Sequence, residues 1–175
     1  MFFELIAVFA AGMAGAGLAL LLGHMTGGRI PRWMVPVGAG AAMIATAIAN
    51  EYGWYPRQAG NLPDGVEIVQ EVESRAIWRP WTFAFPFVER FVAVDTQTVQ
   101  SHAAHPQQRL ASVYFFGRWA PTDRAAVLAD CTEGRRALLG PGAQFTEDGA
   151  VNGVTWVKAP PEDPILRAIC NGASS

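Results

Sequence analysis

The sequence predicts an α+β protein in two parts: an N-terminal hairpin of two transmembrane helices, then a disulfide-linked antiparallel β-sheet domain with a short C-terminal helix. Three observations predict it. Two apolar stretches fill the first fifty residues, Phe2 to Leu22 with Glu4 as its sole charge and Met34 to Ala49 with none. Beyond them the apolar period changes to two, the spacing of half-buried strands. Both cysteines, Cys131 and Cys170, lie in that later part.

A helix needs about 20 apolar residues to cross a bilayer core. The first stretch meets that length. The second is shorter, but Trp33, Tyr52, Trp54 and Tyr55 flank it as interfacial anchors would. The spans are placed at about 2–22 and 33–50, the hairpin at 1–55 and the sheet domain at 56–175. A cleaved signal peptide fits poorly: the chain opens Met-Phe-Phe-Glu, with no basic n-region, and its first apolar run ends in leucines. The connecting loop carries Arg29 and Arg32 and no acid, whereas Glu4, Glu51 and Arg57 lie outside the hairpin. The positive-inside rule puts that loop in the cytoplasm and the large domain in the periplasm.

Small residues recur at spacing four on both helices. The first has Ala7, Ala11, Gly15 and Ala19, with Gly12 and Ala16 beside them; the second has Ala41, Ala45 and Ala49, with Gly38 and Ala42. Such rows let helices approach closely in lipid. They serve either the packing of the two helices on each other or docking onto a larger membrane complex, and the sequence leaves both readings open. Gly27-Gly28 and Pro31 break the helical pattern between the spans, and Pro36 sits where a helix start tolerates a missing N–H.

Residues 57–64 read as a linker. Val66, Ile68 and Val72 alternate with polar residues, which predicts a strand. Trp81, Phe83, Phe85 and Phe87 alternate in the same way and predict a second, with Pro86 at an edge or a bend. Residues 90–95 continue it or form another. Residues 110–119, 125–131 and 151–157 predict three more, with turn-rich connections at 102–108 and 140–153. The terminal helix has a cap in Asp163, a first-turn proline in Pro164 and a stop in Gly172. Ile165, Leu166, Ile169 and Cys170 share the face that would lie on a sheet of five or six strands. An even cysteine count in an oxidising compartment favours a Cys131–Cys170 disulfide; the alternative is two buried thiols in a cytoplasmic domain.

From Phe91 onward the order of features resembles the surface-adhesin protein E domain family. The residues that carry the resemblance are Phe91-Val92-Ala93-Val94-Asp95 and Val99, then Ser112-Val113-Tyr114-Phe115-Phe116 and Trp119. Ala129-Asp130-Cys131, Arg135-Arg136 and the stretch from Pro164 to Cys170 complete it. The resemblance implies a disulfided antiparallel sheet and covers about half of the chain. Adhesion is not carried over, because an inner-membrane hairpin departs from a surface-exposed protein.

Composition excludes some functions. A formal net charge of −2 and one lysine against twelve arginines give no basic face for nucleic acid. His102 and His105 form a weak candidate metal pair, since zinc wants three or four protein ligands and no clear third is near. No Gly-x-Ser-x-Gly elbow, free thiol or paired acid and base is visible, and the glycine clusters lack the Lys-Ser/Thr of a phosphate cradle. The expectation is therefore no enzyme and no cofactor.

The segment from Trp78 to Phe87 is dense in aromatics. Core packing accounts for one face of it; Trp78, Arg79, Trp81, Phe83 and Phe85 are the candidate partner contacts, because such residues anchor interfaces. Ala11, Gly15, Ala41 and Ala45 are the corresponding candidates within the helices. The expected function is a non-catalytic accessory or assembly subunit of a bacterial inner-membrane complex, with a periplasmic interaction domain. Its partners would be the bilayer and a larger membrane complex, and no nucleic acid. A membrane-anchored module binding a ligand or peptide in a cleft of the sheet is the alternative.

Overall fold

A computed structural model describes residues 2–146 and 149–172. The chain separates into two compact units, Met1–Arg57 and Gln58–Ser175.

The first unit is an antiparallel helical pair, α1 (Phe2–Met25) and α2 (Met34–Ala59). Both are long and apolar enough to cross a membrane, and almost none of either is buried within the protein. The turn between them uses Gly27 and Gly28 at φ +65° and +81°, a conformation that side chains disfavour. Contact between the helices is made by small residues. A Cβ added at Gly15 would stand 2.6 Å from the Gly38 carbonyl oxygen and from the Ala42 Cβ, and one added at Gly12 would meet Met43 at 2.9 Å. Of the two sequence readings of the small rows, mutual packing is therefore realised for Gly12, Gly15, Ala19, Gly38 and Ala42. Ala11 is half-buried, whereas Ala41 and Ala45 are exposed. The helix continues to Ala59, so the first three residues of the expected linker form its last turn. Trp54 is buried, unlike the exposed Trp33.

The second unit is built on a seven-stranded antiparallel sheet. Its strands are β1 (Val66–Ser74), β2 (Phe87–Asp95), β3 (Gln100–His102), β4 (His105–Gly117), β5 (Asp123–Asp130), β6 (Arg135–Leu138) and β9 (Trp156–Lys158). The order is β1-β2-β4-β5-β6-β9, with β3 beside the first half of β4. A separate two-stranded ribbon joins β7 (Gln144–Phe145) to β8 (Val151–Asn152). One helical turn, α3 (Trp81–Ala84), interrupts the β1–β2 connection, and α4 (Pro164–Asn171) closes the chain.

Helix α4 lies on one face of the sheet. Ile165, Leu166 and Ile169 pack with Val94, Val99, Ala111, Val113, Val127 and Ala129 into the core. Asp163 accepts the Leu166 N–H at 2.8 Å, the N-cap bond that the sequence predicts, and also pairs with Arg136. The far end of α4 is fastened twice. Cys170 is bonded to Cys131 at the end of β5, with Cα atoms 5.8 Å apart. The Arg109 guanidinium donates to the carbonyls of Cys170 (2.8 Å) and Gly172 (2.9 Å), satisfying acceptors that a helix end leaves open. On the other face Phe91 and Phe116, partners in register on β2 and β4, stack at 4.6 Å.

Four sequence expectations need correction. The strand expected at 81–87 is the turn of α3, and β2 begins at Phe87. Pro80, at φ −59° and ψ −26°, starts a helical turn, and the Phe85 N–H closes it on Trp81. The strand expected at 151–157 is two, because Gly153 at φ +75° turns the chain between β8 and β9. The expected loop at 102–108 is a tight hairpin in which His102 and His105 are partners. Its Pro106 sits near the start of β4, where a missing N–H is tolerated. Finally β6, short and arginine-led, has no apolar alternation to mark it, so the sheet has more strands than expected.

Candidate functional site

The connection between β1 and β2 runs from Arg75 to Pro86 and carries the largest apolar exposure of the sheet domain. Ile77 is 85 % exposed and Trp78 79 %, with Phe85 and Phe83 also well exposed and Trp81 partly so. These are the side chains that a soluble domain ordinarily hides, and they form an exposed apolar cluster. The sequence reading left open whether the segment is core alone or core plus a contact surface. Phe87 goes into the core, and four of the five candidate contacts named from sequence are apolar side chains at the surface.

The loop is held in shape from within. Thr82 is fully buried among exposed aromatics. Its hydroxyl accepts the Ala76 N–H at 3.0 Å and donates to the Arg79 carbonyl at 2.7 Å. Arg79 N–H returns to the Ala76 carbonyl at 2.9 Å, and Thr82 N–H to the Arg79 carbonyl at 2.9 Å. A single hydroxyl therefore ties residues 76, 79 and 82 into one knot, and Ile77 and Trp78 project from its tip. Ordering an interface loop in advance lowers the entropy cost of binding. The loop carries Arg75 and Arg79 and no acid; Arg75 pairs with Glu73 of β1 at 3.5 Å. Reading the sequence missed Ile77, which lacks an aromatic ring, and Thr82. A proline followed two residues later by a threonine inside an apolar run was the available signal for a helical turn.

The histidines are brought together but not into a metal centre. They face each other across the β3–β4 hairpin, and His102 Nδ1 accepts the Ala104 N–H at 3.2 Å. Among the described residues no three His, Cys, Asp or Glu side chains converge to hold an ion. Asp130 is a structural residue: its carboxylate accepts the N–H groups of Thr132 and Glu133 and pairs with Arg135 at 3.1 Å, shaping the β5–β6 turn. Both cysteines are in the disulfide and provide no nucleophile.

A second feature was anticipated from the sequence only through its histidines and the alternative of a cleft in the sheet. The β7–β8 ribbon forms one wall of an open cleft of about 220 Å³. Leu110 and Leu128, register partners on β4 and β5, line it together with Phe145 and Val151, and Gln100, Ser101, His102, His105, Gln108 and Thr146 supply polar groups.

No protein-family model matches this chain, nor does any curated protein or solved structure.

Proposed function

We propose that this protein is a non-catalytic, membrane-anchored accessory or assembly subunit of a bacterial inner-membrane complex, and that its sheet domain is a periplasmic docking module. The observation that carries the reading is the knotted β1–β2 loop, which presents Ile77, Trp78, Phe83 and Phe85 on a framework fixed by a buried hydroxyl. Aromatic anchors on a rigid support make the few contacts that dominate an interface. The helical pair supports the anchoring, since its length and composition suit two spans. The disulfide is compatible with an oxidising compartment. The resemblance to the surface-adhesin protein E domain enters this proposal only through the fold.

Native purification of the tagged full-length chain from membranes in mild detergent, followed by mass spectrometry, tests the reading. The expected result is a stoichiometric membrane complex that W78A and F85A dissociate while the sheet domain stays folded. A chain that purifies alone, or a complex that both variants leave intact, refutes it.

A further inference from the structure

The β1–β2 loop does not stand alone at its end of the sheet. β1 pairs with β2 from Val66 opposite Asp95 to Ser74 opposite Phe87, and β2 pairs with β4 from Val94 opposite Val113 to Arg90 opposite Gly117. The turn at 117–122, which joins β4 to β5, therefore emerges beside the loop, and the Arg118 N–H donates to the Glu89 carbonyl at 2.9 Å. This turn carries Trp119, which is 53 % exposed and has the Arg118 guanidinium 4.9 Å above its ring. Resting on the docking function above, we propose that loop and turn form one surface and that its partner is a protein segment of apolar residues edged by carboxylates.

Charge gives the partner its sign. Outward from the row Val72, Arg90 and Gly117, residues 73–90 and 117–122 contain Arg75, Arg79, Arg90 and Arg118 against Glu73 and Glu89. The remainder of the unit Gln58–Ser175 is the reverse, with six basic residues against eleven acids. The positive excess is gathered where the exposed rings are, so an acidic partner is drawn to this end and repelled elsewhere. Arg90 and Arg118 line an open depression of about 240 Å³ together with Glu89, Gly117, Trp119 and Ala120. A guanidinium there can take a carboxylate through two parallel N–H donors, with the Trp119 ring as an apolar wall. Tryptophan and arginine side by side are the residues in which interface energy concentrates.

Two other occupants fit less well. A second copy docked by the same surface would set arginines against arginines. The bilayer is disfavoured by where the chain enters the sheet. β1 begins at Val66, six residues after α2 ends, and the exposed rings lie at the other end of that strand. Its nine residues put roughly 25 Å between the tethered end and the rings.

The test is photo-crosslinking in the native membranes. The full-length chain carries p-benzoyl-L-phenylalanine at position 119 or, in a second preparation, at position 78, and the adducts are sequenced by mass spectrometry. Both positions should capture the same protein, and the adduct at 119 should map to an apolar segment with more Asp and Glu than Lys and Arg. In the complex purified with that protein, W119A should weaken binding at least about tenfold while the melting temperature holds. R90E should weaken it at least about threefold at about 50 mM NaCl and by little at about 500 mM, a salt dependence that a packing defect would not show. Capture at 78 with none at 119, or an adduct at 119 on lipid, on a second copy or on a segment without an acidic excess, overturns this inference and leaves the docking function standing. So does an R90E effect equal at both salt concentrations, or a W119A complex as tight as wild type. If neither position captures a protein, both readings fall.

Discussion

Replacing Thr82 by valine isolates the knot in the β1–β2 loop. The two side chains have nearly the same shape, so the change removes a hydroxyl and little volume. The Arg79 carbonyl keeps the Thr82 backbone N–H, but the Ala76 N–H loses its acceptor. An orphaned buried donor costs about 1–3 kcal/mol. Taking about 2 kcal/mol, and tenfold for every 1.4 kcal/mol, local opening of the loop becomes about 30-fold more frequent. Native-state hydrogen exchange on the full-length protein reads this directly. The amides of Ala76, Arg79, Thr82 and Phe85 should exchange about 30-fold faster in T82V, while those of β4 and β5 stay unchanged. T82S retains the hydroxyl and should stay near wild type. If T82V exchanges within about threefold of wild type, or if T82S behaves like T82V, the hydroxyl is not what holds the loop and the case for a preorganised docking surface fails.

Three further outcomes follow from the packing. The disulfide closes a loop of sequence separation 39, worth about 4 kcal/mol in the chain-entropy model; C131A/C170A should lower the calorimetric melting temperature of the sheet domain by about 15 °C, and a drop under about 4 °C would count against the model here. R109M removes the charge-assisted bonds to the Cys170 and Gly172 carbonyls and should cost about 2–3 kcal/mol in denaturant unfolding, with faster exchange confined to α4; an effect below about 0.5 kcal/mol would show that the disulfide alone holds the helix end. In the helical pair, G15L cannot be accommodated without parting the helices. An A19C/G38C pair should therefore crosslink on oxidation in the parent chain and fail to do so when G15L is added; crosslinking that persists would refute the close contact.

Several elements were legible because a local rule and the tertiary environment agree on them. The two apolar helices announce themselves by length. Helix α4 carries its own cap, first-turn proline and apolar face, and strands β2, β4 and β5 have the apolar content of a sheet core. The aromatic segment misled because its period of two is an accident of composition: Pro80 and the Thr82 hydroxyl outweigh the alternation and make a turn of it. The exposed aromatic surface was half visible. Its rings were marked by residue type, but their exposure depends on which of them the sheet absorbs, and only Phe87 continues into β2 far enough to be buried.

The sequence by itself determined the division into an apolar helical pair and a sheet domain, the terminal helix and the aromatic-rich segment between β1 and β2. These follow from composition and short-range periodicity, which act within a few residues. Only the tertiary structure decided which small residues meet, since Gly15 and Gly38 are far apart in the chain, and which two hairpins enclose a cleft. It also put Arg109 at the end of α4, sixty-one residues from the Cys170 carbonyl it caps. Contacts across such separations depend on how strands are ordered in the sheet, and strand order is set by the summed burial of the whole domain rather than by any local stretch.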